Sequence, residues 1–178
     1  PGDIINNSRQ IHLAFAIFLA FMAYPALKSS PRNYVPIQDW VMGLLGAGIA
    51  LYGFFFYEKI VNNGGLADDT DKWVALIGLI LLFEGARRAL GPAMAIIASI
   101  FLLYVFFGSS SWVPDVIRGK GASLQKAMSH MWITSEGVFG IALGVSTKFV
   151  FLFVLFGALL DKAGAGNYFI KMAFGALG

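Results

Sequence analysis

The chain has 178 residues, of which 58% are hydrophobic and only 13% charged, and its mean hydropathy is +0.73. Soluble globular domains carry about half apolar and about a quarter charged residues, so these proportions exclude that class and indicate an all-α integral membrane protein. The formal charge of +3 is small and scattered, which argues against nucleic acid as a partner, and without cysteine no disulfide framework or thiolate metal site can form.

The apolar runs do not alternate, so a barrel is not indicated. A polar opening that includes Arg9 leads into the first apolar run, Ile11 to Leu27, near the lower limit of about 17 residues for crossing a hydrocarbon core of about 30 Å. His12 at its start reads as an interfacial imidazole, and Pro25 lies near its exit. Lys28 to Asp39 contains Pro31, Arg32 and Pro36 and reads as a loop, with Asp39 as N-cap of a second span, Trp40 to Tyr57. Gly43, Gly46, Gly48 and Gly53 in that span are spaced for close approach of another helix. Glu58 to Lys72 is the most polar loop. Its Asp68, Asp69 and Asp71 lack the spacing of a twelve-residue calcium loop and read as a hydrated segment that caps the next helix through Thr70.

The third span runs from Trp73 through Phe83 into Glu84-Gly85-Ala86-Arg87-Arg88. Glu84 falls about 17 Å along the axis from Trp73, inside or near the edge of the hydrocarbon layer. Arg87 and Arg88 follow at three and four residues, on the same face, so the three read as a structural ion-pair cluster. Gly91-Pro92 breaks the helix and restarts it, and Ala93 to Phe107 forms a fourth, short span. Beyond Pro114, the stretch Ala122 to Trp132 reads as a helix lying along the membrane surface. His130 has only His12 as a companion and does not suggest a metal site. The segment from Ser135 to Gly166 divides into a lead-in, Glu136 to Val145, with Gly137, Gly140 and Gly144 as hinge candidates, and a fifth span, Thr147 to Leu160. Lys148 reads as a snorkelling side chain. The side holding Arg9, Lys59, Lys72, Arg118, Lys120 and Lys126 outnumbers the side holding Lys28, Arg32, Arg87 and Arg88, which places the N-terminus in the cytoplasm.

Enzyme signatures are missing: no Gly-x-Ser-x-Gly elbow, no phosphate-binding Gly-Lys-Ser/Thr loop and no His-Glu-x-x-His occur, so no catalytic residue and no metal ligand is assigned. The residues Arg9-Gln10-Ile11-His12, Asp39-Trp40, Glu84 to Gly91, Glu136 to Ser146 and Phe149 to Leu160 together resemble the fused membrane permease of tripartite ATP-independent periplasmic (TRAP) transporters, of the TAXI-associated type. The resemblance covers nearly the whole chain. It implies residues 1–114 as a small-subunit-like four-helix membrane domain, 115–135 as a linker with an amphipathic surface helix, and 136–178 as the start of the large transport subunit.

The resemblance further implies secondary active uptake of organic acids, driven by sodium or proton symport, in the cytoplasmic (inner) membrane of a bacterium or archaeon. Its partners would be a periplasmic solute-binding protein, the remainder of the large permease subunit and the lipid bilayer. In that reading the chain is mainly scaffold, and the ion-driven elevator domain lies beyond residue 178. No cofactor is implied. The hairpins rich in Gly-Ser and Gly-Gly-Pro that hold the family's substrate and cation do not occur here, so substrate-binding residues stay unassigned. The alternative reading is a self-contained helical membrane scaffold or interaction protein without transport activity.

Overall fold

The computed structural model describes residues 2–27 and 34–177, with side chains over 7–27 and 34–176. Lys28, Pro31 and Arg32 of the expected first loop lie outside the described residues, as does Gly178. Regular structure among the described residues is helical, without strands. The first elements are α1 (Gly2–Ala23), α2 (Ile37–Ala50), α3 (Tyr52–Phe55), α4 (Tyr57–Asn62), α5 (Asp69–Leu90) and α6 (Pro92–Phe107). Single residues, Leu51 and Phe56, separate α2, α3 and α4, so the second apolar run is one rod with two breaks. Gly53 and the aromatic run Phe54 to Tyr57 are weak helix formers, which accounts for the breaks there.

Polar contacts at the helix ends define the packing order. The backbone oxygens of Tyr24 and Ala26, just past α1, accept from Arg88 and Arg87 at the end of α5, and Arg88 also reaches Asp39 at the start of α2. Helices α1 and α5 therefore run parallel, and α2 runs opposite to both. Gly91, at φ 89° and ψ 172°, turns a corner that a side chain would oppose, and Pro92 opens α6 at a position where no amide proton is needed.

Where two helices cross closely, small residues at the crossing permit the approach. A Cβ on Gly46 of α2 would stand 2.6 Å from Ile17 Cγ2 of α1, so the two backbones approach as closely as this glycine allows. Leu13, Ile17 and Phe21 of α1, Ala50, and Ala75, Leu79 and Leu81 of α5 form the core with Met128, Trp132 and Phe139 from later in the chain.

Two expected helix caps are placed differently. Helix α5 begins at Asp69, so Thr70 lies inside its first turn; Asp68 is the N-cap, its carboxylate accepting from the Asp71 amide while Asp71 accepts from the Asp68 amide. Helix α2 begins at Ile37 behind Pro36, which puts Asp39 in the first turn, and its carboxylate pairs with Arg88 instead of capping.

After α6 the chain folds back over the end of that helix. Gly119 and Ala122 donate from their amides to Gly108 and Val105, the Tyr104 hydroxyl donates to the Ile117 carbonyl, and a 3₁₀ turn covers Asp115–Ile117. Helix α7 (Leu124–Met128) passes into a π-helical turn, Ser129–Ile133. This is the segment expected on the membrane surface, and its apolar face lies on protein instead: Ala127, Met128, Ser129 and Trp132 are buried against α5. Gly78 of α5 provides the notch for Trp132, since a Cβ there would sit 2.5 Å from Trp132 Cζ2.

The long apolar helix starts at Ile141, ahead of the expected Thr147. It runs as α8 (Ile141–Val145), a π turn (Ser146–Val150) and α9 (Phe151–Lys162) without interruption. At 22 residues and a mean hydropathy of 2.1 it is the one described helix long and apolar enough to cross a membrane, whereas α2 and α6 are apolar but shorter. The expected four spans plus a fifth thus find an all-helical architecture and one full-length apolar helix. From Lys148 onward this helix and α10 (Ala165–Leu177) stand almost wholly exposed, apart from an edge-to-face contact of Phe151 with His12 of α1.

Candidate functional site

The buried charge of the molecule is concentrated at the two ends of α5. At its C-terminal end Glu84 lies one turn before Arg87 and Arg88, where helical spacing lets one carboxylate serve both guanidinium groups. Arg87 donates through Nε to Glu84 Oε2 at 2.7 Å and through Nη2 to Glu84 Oε1 at 2.8 Å. Arg88 donates through Nε to Glu84 Oε1 and through Nη1 to Asp39 Oδ1, both at 2.8 Å. The Arg88 and Asp39 side chains are 1% and 2% exposed, and the guanidinium carbon stands 4.6 Å from the ring centre of Phe21. Two acids and two bases from α2 and α5 cancel each other, and the carbonyls of Tyr24 and Ala26, just past α1, accept further bonds from Arg88 Nη1 and Arg87 Nη2. Asp39 is the member that helix spacing could not supply, because it comes from another helix.

The opposite end of α5 carries a second cluster. Lys59 of α4 bridges Asp68 and Asp71 at 2.8 Å each, and the Tyr52 hydroxyl donates to Asp71 Oδ1 at 2.6 Å. Hydrogen bonds to Asp68 and then to Asp71 raise the pKa of Lys59 above its ordinary value, and the bond from Lys59 depresses that of Asp68. Asp69 pairs with Lys72, so each of the three loop acids is engaged by a lysine. The sequence signals were Tyr52 and Lys59 two turns apart and the Asp-x-x-Asp cap spacing. From Asp71 to Arg88 the axis advances about 26 Å, close to the thickness of a hydrocarbon core of about 30 Å.

A third set of contacts ties α1 to the start of the long apolar helix and the segment before it. Arg9 Nη1 donates to the Phe139 carbonyl at 2.8 Å, His12 Nε2 lies 3.2 Å from Ser146 Oγ, and the rings of Trp132 and Phe139 meet edge to face. The helix-packing glycines face neighbours on α1: Gly43 meets Phe18 and Met22, Gly46 meets Ile17, and Gly53 meets the Gln10 amide. Among the three hinge candidates, Gly137 lies against the backbone of His130 and Met131, Gly140 against the Glu136 carbonyl, and Gly144 against the Arg9 guanidinium. Among the described residues no group of three His, Asp or Glu side chains is placed to hold a metal ion.

This arrangement braces α5 against its neighbours at both of its ends, and the one Ser–His contact described, His12 with Ser146, joins α1 to the long apolar helix. Compared with protein families, residues 76–178 match the one described as the tripartite ATP-independent periplasmic transporter, DctM component. The chain belongs to this family. No match is found among curated proteins or among solved structures. The matched stretch of the TRAP component takes in Glu84, Arg87 and Arg88, the α5–α6 corner, the buried Trp132 and the whole of the long apolar helix. A permease component of a membrane transporter, and not an enzyme, is the class this membership gives.

Proposed function

We propose that this chain forms the fixed scaffold of a secondary active TRAP permease for organic acids, in the inner membrane and of the TAXI-associated type. The observation that carries the reading is the pairing of Asp39, Glu84, Arg87 and Arg88 at one end of α5 with the Lys59 cluster at the other. A helix locked at both ends to its neighbours resists sliding, which suits a support against which a substrate-carrying element moves. In this reading residues 1–114 act as the small-subunit-like bundle, 115–135 as the linker and 136–178 as the opening of the transport subunit, with the family match from residue 76 running across the first boundary. A periplasmic solute-binding protein delivers substrate, and a sodium or proton gradient drives its uptake.

The test is uptake by the reconstituted permease with its binding protein. Arg88→Met is expected to lower the amount of folded transporter and its maximal rate together, leaving the apparent KM for substrate and for the coupling ion unchanged. A changed KM for either would place the cluster in the transport path and overturn the scaffold role.

A further inference from the structure

We propose that the turn from Trp112 to Ile117, beyond the end of α6, anchors the chain in the bilayer surface. Trp112, Val116 and Ile117 enter the boundary between headgroups and acyl chains, and Lys120 meets the phosphate of an anionic phospholipid. Helix α6 has 16 residues, a length of about 24 Å against a hydrocarbon core of about 30 Å, which leaves it about 6 Å short of a full crossing. The chain that follows shows where its end lies. The Ala122 amide donates to the Val105 carbonyl of α6, and Gln125 Nε2, three residues on, donates to the Ala67 carbonyl just ahead of α5. The turn therefore sits at the level of the Lys59 cluster and of Trp73, an indole 66% exposed, as aromatic side chains at a membrane interface are.

Trp112, Val116 and Ile117 are 75%, 96% and 58% exposed, whereas Val113 among them is 4% exposed and faces inward. A bilayer removes that apolar surface from water. Backbone groups that enter the apolar boundary need partners within the protein, and this turn supplies them. The amides of Ser110, Val113 and Ile117 donate to the carbonyls of Phe107, Ser110 and Pro114. The Tyr104 hydroxyl donates to the Ile117 carbonyl, and Arg118 Nη2 donates to the Val113 carbonyl at 2.9 Å. Charge at the rim selects the lipid. Asp115 and Arg118 neutralise each other at 2.6 Å, while Lys120 is exposed and has no acidic partner among the described residues. One uncompensated positive charge at headgroup level favours an anionic over a zwitterionic phospholipid.

The test places a nitrobenzoxadiazole probe on Val116→Cys, which the absence of native cysteine makes specific, in the full chain reconstituted in liposomes. Asn63→Cys, in the exposed polar loop, is the reference in water. Emission at position 116 is expected to be blue-shifted from that at 63, and quenched more by phospholipid brominated near the top of the acyl chain than near its end. Brominated phosphatidylglycerol at trace mole fraction should quench with about fivefold preference over brominated phosphatidylcholine, and Lys120→Gln should abolish that preference without moving the emission. Iodide quenching as strong at 116 as at 63 would put the turn in water. Blue-shifted emission that neither brominated lipid quenches would put it against protein, either another segment or a second copy. Each of these two results overturns the proposal, and equal quenching by the two headgroups with Lys120 in place overturns its assignment to a lipid phosphate.

Discussion

Arg88 shows how a single residue can carry more than its neighbours suggest. Its guanidinium is buried with Asp39 and shared with Glu84, while Phe21 covers one side. Stripping one partner from a buried ion pair costs about 3–5 kcal/mol, since the other charge stays behind without it. Asp39→Ala is therefore expected to destabilise the chain by about 3 kcal/mol, the lower end, because Glu84 still holds Arg88. Lys148→Ala, at an exposed position, should fall within about 0.5 kcal/mol of the parent chain. Unfolding in detergent measures both, and equal shifts would refute the ranking.

The Lys59 cluster makes a statement about pH. Lys59 titrates above its unfolded value of 10.5, so its contribution is complete below that value and is lost only as pH rises through the still higher folded value. Asp68 titrates below its unfolded value of 3.8, so its contribution is complete above 3.8 and disappears as pH falls through the folded value. Amide exchange at Asp71, whose N–H donates to Asp68, should show constant protection between those limits once corrected for intrinsic rate, and loss of protection on acidification below them.

At the scale of elements, the joint between α5 and the α7 segment decides the most. Trp132 fills the notch at Gly78, and a methyl group there would overlap the indole. Overpacking of this kind costs about 1–3 kcal/mol. Gly78→Ala should be destabilising by that amount in the parent chain and less so, though not neutral, in a Trp132→Leu background, because Ile49 Cγ2 also lies 2.8 Å from the same position; a double-mutant cycle in detergent reads the difference directly. Equal costs in both backgrounds would show that the ring does not occupy the notch. The amphipathic pattern of 122–132 was legible in the sequence. Whether lipid or protein covers its apolar face was not, because both satisfy the same spacing, and only the small residues Ala75 and Gly78 on a helix far away in sequence settle it.

Across the whole molecule, a packed bundle contrasts with a helix that leaves it. Phe21 and Met128 in the bundle are 1% and 0% exposed, whereas Phe153 on α9 is 74% exposed. A chain without cysteine permits single-cysteine labelling. In liposomes, Phe153→Cys should react slowly with a water-soluble maleimide and be quenched, once labelled, by brominated lipid chains, while Lys120→Cys should react quickly. Rapid aqueous labelling at 153 would contradict the placement of this helix in hydrocarbon.

Composition and run length alone determined that this is a helical membrane protein, and the Glu84, Arg87, Arg88 spacing alone placed those charges on one helix face. Local periodicity carries such information because it concerns residues within a turn or two of one another. The tertiary structure decided what lies across the gaps: Asp39 as the partner of Arg88, Lys59 between Asp68 and Asp71, and Trp132 against Gly78. Those pairs depend on which helices lie side by side and in which direction they run, and helix direction is set by packing and end contacts that no single stretch of sequence contains.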